Sequence, residues 1–462
     1  MVALDPRYRL SNKSASPVPG GAQIALDVAH DYTAAGLFDE AARVLRRQLS
    51  QPGPDGEKNP MLHYTLGWVL RQAGDHGWTD ELRRAAEAPP DYCFPSRLEE
   101  IEILQLAMVA KPIDARAPYY LGNLLYDRRR YREAVTAWRR ATRLDPAFPT
   151  AHRNLGIAEF NVLKHFRRAL SEYRKAFAAD PSDARVLYEL DQLRKRCGQP
   201  PADRLKLLKR HQKLVEARDD LAIEFVTLLN EMAYHEEALA VLAGRRWHPW
   251  EGGEGLVPAQ WVLANLRLAN QALQDLPPVP IQAIARLESA LSRPAKLGEG
   301  KHLLTPENEL HYYLGFAHRM SGHDQEAHTW WELAATAQGD SRAPDGEPLY
   351  WRAQACGALG DEGAARALFQ QLLRSARRRS RQPQGTDYFA TSLPTFLVFE
   401  DDLDRRKRVE CRYLESLALA GLGRRRAAVR GLREVVTLDV DHERASWHLR
   451  QLEPRADKSR AR

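Results

Sequence analysis

The 462-residue sequence predicts an all-α solenoid of stacked antiparallel helix pairs wound into a right-handed superhelix. Three observations carry that expectation. A small–small–aromatic–small pattern with internal offsets of 12, 4 and 3 residues recurs along the chain. Helical periodicity fills the stretches between the copies, and no stretch alternates as a half-buried strand does. The two best copies both close on Asp-Pro, at Asp145-Pro146 and Asp180-Pro181.

Taken in order, a weak copy opens the chain at Ala29, Ala41 and Leu45. Residues 59–72 and 79–88 then read as a helix pair, and 97–110 as a further helix with Ser96 as its N-cap and Glu99 completing a capping box. The clearest copy carries Leu121-Gly122, Ala134, Trp138 and Ala141; its successor carries Leu155-Gly156, Ala169, Tyr173 and Ala176. Residues 183–196 and 203–217 form another pair, followed by a weak copy at Val226, Ala238 and Leu242. Helices over 258–273 and 281–292 lead to Gly315, Ala327, Trp331 and Ala334, and then to Ala353, Ala365, Phe369 and Leu372. A helix over 404–420 enters the last copy at Ser416, Ala428, Leu432 and Val435.

The offsets have a packing reason. Two antiparallel helices approach most closely where each presents a small residue. An aromatic one turn beyond the second small residue shares its face and is expected to fill the groove against the neighbouring repeat. Proline then ends the helix by disfavouring helical geometry in the residue before it. The Pro/Gly-rich stretches between helices are loops, and the longest divides the chain into a first run of repeats (1–243), a Trp/Gly-rich insertion loop (244–257) and a second run (258–462) with a basic tail. Val2 to Pro6 reads like the closing end of a repeat cut at that point, as expected of the later portion of a longer protein or of a shortened relative, and stacks of this kind need polar caps.

These offsets and the closing Asp-Pro resemble the tetratricopeptide repeat family, best over Ala115 to Pro181 and Leu314 to Ala334. Stretches such as Asp91-Tyr92-Cys93-Phe94-Pro95, Pro118-Tyr119-Tyr120-Leu121-Gly122-Asn123, Trp247-His248-Pro249-Trp250-Glu251-Gly252 and His311-Tyr312-Tyr313-Leu314-Gly315 are similar to the C-terminal repeat region of large bacterial proteins that carry an uncharacterised, sugar-related β-domain ahead of the repeats. That resemblance implies a cytoplasmic or cell-associated protein connected with carbohydrate metabolism. The β-domain has no counterpart in this sequence.

Composition narrows the function classes. The apolar share of 44%, the charged share of 28% and a mean hydropathy of −0.52 describe an ordinary globular chain without a membrane span. The net charge of +7 is small for this length and does not call for nucleic acid. Cationic runs at 374–381 and 424–426 lack interleaved aromatics and read as solvated helix ends. Four scattered cysteines, none in a CxxC pair, suggest buried or half-buried thiols, with no zinc site and no disulfide framework. The histidines at 302–328 match no metal-binding spacing, and nucleophile elbows, phosphate loops and dinucleotide fingerprints are missing. No cofactor is expected.

The chemistry that remains is that of contact. Tyr119, Asn123 and Asn154 fall on first-helix positions, the face that lines the concave groove, with Arg116 and Arg153 near enough to meet a carboxylate. The loop residues Trp247, His248, Trp250, Glu251 and Glu254 combine aromatic faces with carboxylates, a set suited to a partner segment or a sugar; the two indoles suit plugging the interior equally well. The expected function is a non-catalytic interaction scaffold that binds a peptide or partner domain through the concave face and this loop. The alternative is a carbohydrate-binding or carbohydrate-active accessory protein using the same loop.

Overall fold

The computed structural model describes residues 21–91, 93–249, 253–301, 305–336, 345–382 and 398–453, which contain 23 α-helices and no strand. Among these residues no helix is long and apolar enough to cross a membrane. The chain divides into two compact units, Met1–Leu190 and Asp191–Arg462. The loop at 244–257, expected to separate two runs of repeats, lies within the second unit.

The first unit holds α1 (Gly21–Ala34), α2 (Phe38–Leu49), α3 (Pro60–Gln72), α4 (Trp78–Glu87), α5 (Glu99–Ala110), α6 (Arg116–Asp127), α7 (Tyr131–Leu144), α8 (Pro149–Asn161), α9 (Phe166–Ala179) and the start of α10 (Ala184–Arg196). Helices α1 and α2, α3 and α4, α6 and α7, and α8 and α9 pack as hairpins, while α5 packs singly on α3 and α6. Several starts are set by side chains that accept the free N–H groups of a first turn. Asn59 Oδ1 accepts from Met61 and Leu62 at 3.0 and 3.2 Å ahead of Pro60, and Asp114 Oδ1 accepts from the Arg116 N–H at 2.8 Å. At α5 the expected capping box has a different member. Glu100, not Glu99, reaches back to the N–H groups of Ser96 and Arg97, at 2.6 and 2.8 Å. Glu99 instead pairs with Arg97 on the surface.

Within a hairpin the small residue and the aromatic meet each other. A Cβ at Gly156 would lie 2.6 Å from the Tyr173 ring, and one at Gly122 would collide with Trp138 in the same way. The aromatic therefore fills the space over the glycine of its own repeat, where the offsets had suggested the neighbouring one. The Trp138 indole also donates to the Tyr119 carbonyl at 3.2 Å, as Trp331 does to Tyr312 in the second unit. The copy at Ala353 behaves as first expected: its Phe369 packs against Gly421 of the next hairpin.

The second unit continues α10 into α11 (Pro201–Arg210), α12 (Gln212–Glu216), α13 (Asp219–Glu231), α14 (His235–Gly244), α15 (Leu256–Gln274), α16 (Pro280–Leu291), α17 (Asn308–Met320), α18 (Asp324–Thr336), α19 (Glu347–Ala358), α20 (Glu362–Arg381), α21 (Leu403–Gly421), α22 (Arg425–Leu438) and α23 (Glu443–Leu452). From α13 to α22 these pack as consecutive hairpins. In the Arg-rich end of α20, Arg377 and Arg379 pair with Glu415 and Glu410 on α21, as solvated helix ends do. All four cysteines are free thiols; Cys93 and Cys411 are buried, and Cys197 and Cys356 half-buried.

Candidate functional site

In the first unit most of the expected groove residues are bonded inside the stack. Asn123 Oδ1 accepts from the Trp138 indole and from Asn154 Nδ2, both at 3.0 Å. Asn154 Oδ1 in turn accepts from Arg153 at 3.4 Å, and the Arg153 guanidinium holds both oxygens of Glu189 at 2.6 and 2.7 Å. Tyr173 and Arg185 also donate to Glu189. Asn154 and Arg153 are 0% exposed, and Glu189 is 1%. Burial acts against both charges, but the mutual pairing overrides it: Glu189 is held below the usual carboxylate range and Arg153 above its own. The result is a polar ladder running through α6, α7, α8, α9 and the first turns of α10. Tyr119 is buried against Phe148 and Tyr120, with ring centroids at 4.6 and 5.3 Å. Arg116 is half-buried at the start of α6, and its Nη1 is buried without a hydrogen-bond partner.

The loop after α14 separates into an inner and an outer part. Trp247 is 2% exposed; its indole donates to the Leu242 carbonyl at 3.1 Å, and Arg245 lies over its ring at 4.8 Å. Neither face is open to a sugar ring. Trp247 packs in the interior. His248 is exposed and anchors the loop through its backbone N–H and ring to Asp219 at the head of α13. Glu254 is exposed as well. Trp250 and Glu251 lie outside the described residues, as does Tyr92.

The densest constellation in the second unit is one the sequence did not single out. The short terminal helix α23 lies against α15, α17, α19 and α21, the first helices of four successive hairpins. Glu443 accepts from Nε and Nη2 of Arg267 on α15 at 2.8 Å each, and Trp447 covers the same guanidinium at 4.4 Å. Arg444 inserts between Glu309 of α17 and Glu347 of α19, at 2.6 and 2.7 Å. Tyr413 of α21 donates to Glu347 at 2.9 Å. His448 is buried among Tyr350, Trp351 and Tyr413, with centroids 5.8 to 6.0 Å apart. Just ahead of the helix, Asp441 pairs with the buried Arg204 of α11.

The electrostatics follow from two carboxyls sharing one guanidinium. Burial raises both, but Glu347 also has His448 and the Tyr413 hydroxyl beside it and sits below its ordinary value. Glu309 keeps one oxygen without a partner and sits above. Burial pushes His448 down to about 3, so it is neutral at physiological pH. Beside α23 a cavity of about 230 Å³ is lined by aromatic rings, Tyr312, Phe316 and Trp447 among them, together with Gln274, Gln354 and Gln451. The arrangement holds α23 through one bidentate ion pair, one shared guanidinium and one indole. Sequence reading passed over it because Arg267, Glu309 and Glu347 are ordinary charged residues on long helices. The available signal was a short amphipathic segment with Trp447, Leu449 and Leu452 beyond the last recognisable repeat.

A family model described as TPR repeat matches residues 122–161, from Gly122 on α6 through α7 to the end of α8. Among solved structures, the chain is similar to a MamA fragment (residues 41 to the end) from Desulfovibrio magneticus RS-1 at 17% identity, over 44% of this chain and 99% of that one, with a TM-score of 0.25. It is similar to YrrB, described as a TPR protein with an unusual peptide-binding site, at 18% identity over 52% and 95% of the two chains, with a TM-score of 0.29. The Naa15/Naa10 complex bound to HypK-THB gives 12% identity over 93% and 65%, with a TM-score of 0.34. Scores this low carry no argument, and the fold stands on the hairpins themselves.

Proposed function

We propose that this chain is a non-catalytic scaffold that binds a protein segment on the first-helix face of its repeats. The observation that carries the reading is α23: a ten-residue helix seated across α15, α17, α19 and α21 by side-chain anchors, in the manner of a bound peptide. Stacked hairpins supply such a surface preformed, so little ordering cost attaches to binding. The matched TPR repeat is in keeping with this. In the first unit, Tyr119, Asn123, Arg153 and Asn154 would stiffen the stack from within, and half-buried Arg116 would meet a partner's carboxylate. His248 and Glu254 would offer an outer contact on the loop. With Trp247 closed off, no observation favours the carbohydrate reading.

Selection of a displayed peptide library on the whole chain tests the proposal. Enriched sequences should lose binding when Arg267→Glu and Glu309→Lys are introduced together. Enrichment that is indifferent to those substitutions, or no enrichment at all, would count against the first-helix face as the binding surface.

A further inference from the structure

We propose that α23 is an exchangeable occupant of this groove, and that the partner is a short helix of the same chemistry: a carboxylate and a guanidinium at successive positions, followed three residues later by an indole. The inference rests on the scaffold reading and gives its partner a pattern, that of Glu443-Arg444-x-x-Trp447.

The backbone of α23 packs on α22 as the first helix of a following hairpin does on the helix before it, and two further features give it the character of a ligand. A segment of this length is marginal as a helix without the surface that holds it. Its contacts to α15, α17, α19 and α21 come from side-chain tips: Arg267 to Glu443, Arg444 to Glu309 and Glu347, Gln274 to Gln451 at 3.2 Å.

The docked state also leaves bonds unmade. Arg267 Nη1, Glu309 Oε1 and Asp441 Oδ1 are buried without a hydrogen-bond partner. Asp441 adds a further carboxylate to a cluster in which Asp191, Glu224 and Glu231 already face Arg204 and Lys195. Buried polar groups without partners weigh against the state that contains them. A competing helix that gives Arg267 a second acceptor, gives Glu309 a donor and carries no carboxylate at the Asp441 position would gain where α23 loses. The aromatic cavity beside Trp447 leaves room for a larger side chain at that end.

The test supplies the occupant in trans. A fluorescent peptide of residues 439–453 is titrated against the full chain and against the full chain carrying Arg444→Glu and Trp447→Ala, which place a carboxylate against Glu309 and Glu347 and remove the indole. Binding to the released variant should be at least about tenfold tighter than to the unaltered chain, where the resident helix competes. Adding Arg267→Glu should remove it. Hydrogen exchange on the unaltered chain gives a readout that needs no variant: amides of α23 should exchange through local opening, well ahead of those in α21 and α22. A peptide that fails to bind a released variant of normal helical content overturns the proposal. So do α23 amides that exchange only with α21 and α22. The library selection repeated on the released variant, whose groove is open, can succeed after either result, so loss of self-occupancy and loss of the scaffold reading are told apart.

Discussion

At Gly122 and Gly156 the absence of one carbon decides whether a hairpin closes, because the ring of Trp138 or Tyr173 fills the place a Cβ would take. Replacing either glycine by valine should destabilise the first unit by about 2 to 4 kcal/mol, since neither the ring nor the facing backbone can move without opening the stack. Urea unfolding followed by helical signal measures this, and a loss well under 1 kcal/mol would show that the contact relaxes cheaply. Glu189 makes a second prediction. Glu189→Gln leaves Arg153 charged, fully buried and short of its counter-charge, and should cost about 3 to 5 kcal/mol; joint replacement by Met at 153 and Leu at 189 should cost clearly less. The small-aromatic spacing was legible in the sequence, but which ring met which glycine was not. Offsets fix a helical face and say nothing about whether the neighbour on that face belongs to the same hairpin or the next. Asn123, Arg153 and Asn154 were placed on the correct helices for the same reason. The burial of Arg153 escaped detection because its partner, Glu189, is two helices away from α8.

Element boundaries were the most legible feature. The helices expected over 97–110, 258–273 and 404–420 appear as Glu99–Ala110, Leu256–Gln274 and Leu403–Gly421, since Pro, Gly and capping residues act locally. The cap of α5 shows the limit. Both Glu99 and Glu100 follow Ser96 at plausible spacing, and burial of Glu100, which no local pattern reveals, decides between them. That burial has a measurable consequence. Desolvation lifts the Glu100 carboxyl to about 7, against a weaker downward pull from the Arg97 and Ser96 N–H groups. A carboxyl raised above its unfolded value stabilises the fold below that value, near 4.5, and the contribution fades as pH climbs through 7. Between pH 5 and 8 this group alone should take up to about 2 kcal/mol from the first unit. Glu100→Gln keeps an acceptor for the two N–H groups and cannot ionise, so its thermal midpoint should be flatter across that range. Parallel pH profiles for the two chains would refute the assignment.

Most contacts in a stack of repeats join neighbours, so stability is close to a sum over hairpins and their interfaces. The return of α23 onto α15, α17 and α19 breaks that rule in the second unit, because Arg267 and Glu443 meet across 176 residues of sequence and Arg444 and Glu309 across 135. No repeat pattern reports such a closure, which is why the end of the chain read as the last repeat and its tail. Closure also makes the docking of α23 respond to acid. His448 on this helix is buried to a pKa of about 3, while a released helix would expose it to water at its ordinary value near 6.5. A histidine depressed in the folded state contributes fully above its unfolded value and loses that contribution as pH falls toward the folded one. Between pH 7.5 and 5 the histidine should therefore favour release by up to about 2 kcal/mol. Glu309 and Asp441, raised by burial, act in the opposite sense, since acid protonates them more readily in the docked state. Comparing the chain with His448→Phe isolates the histidine: phenylalanine fits among Tyr350, Trp351 and Tyr413 but does not titrate. With exchange expressed as protection relative to the intrinsic rate at each pH, acidification to pH 5 should lower the protection of α23 amides in the unaltered chain by about tenfold or more relative to the variant, and an equal change in both would remove His448 from the account.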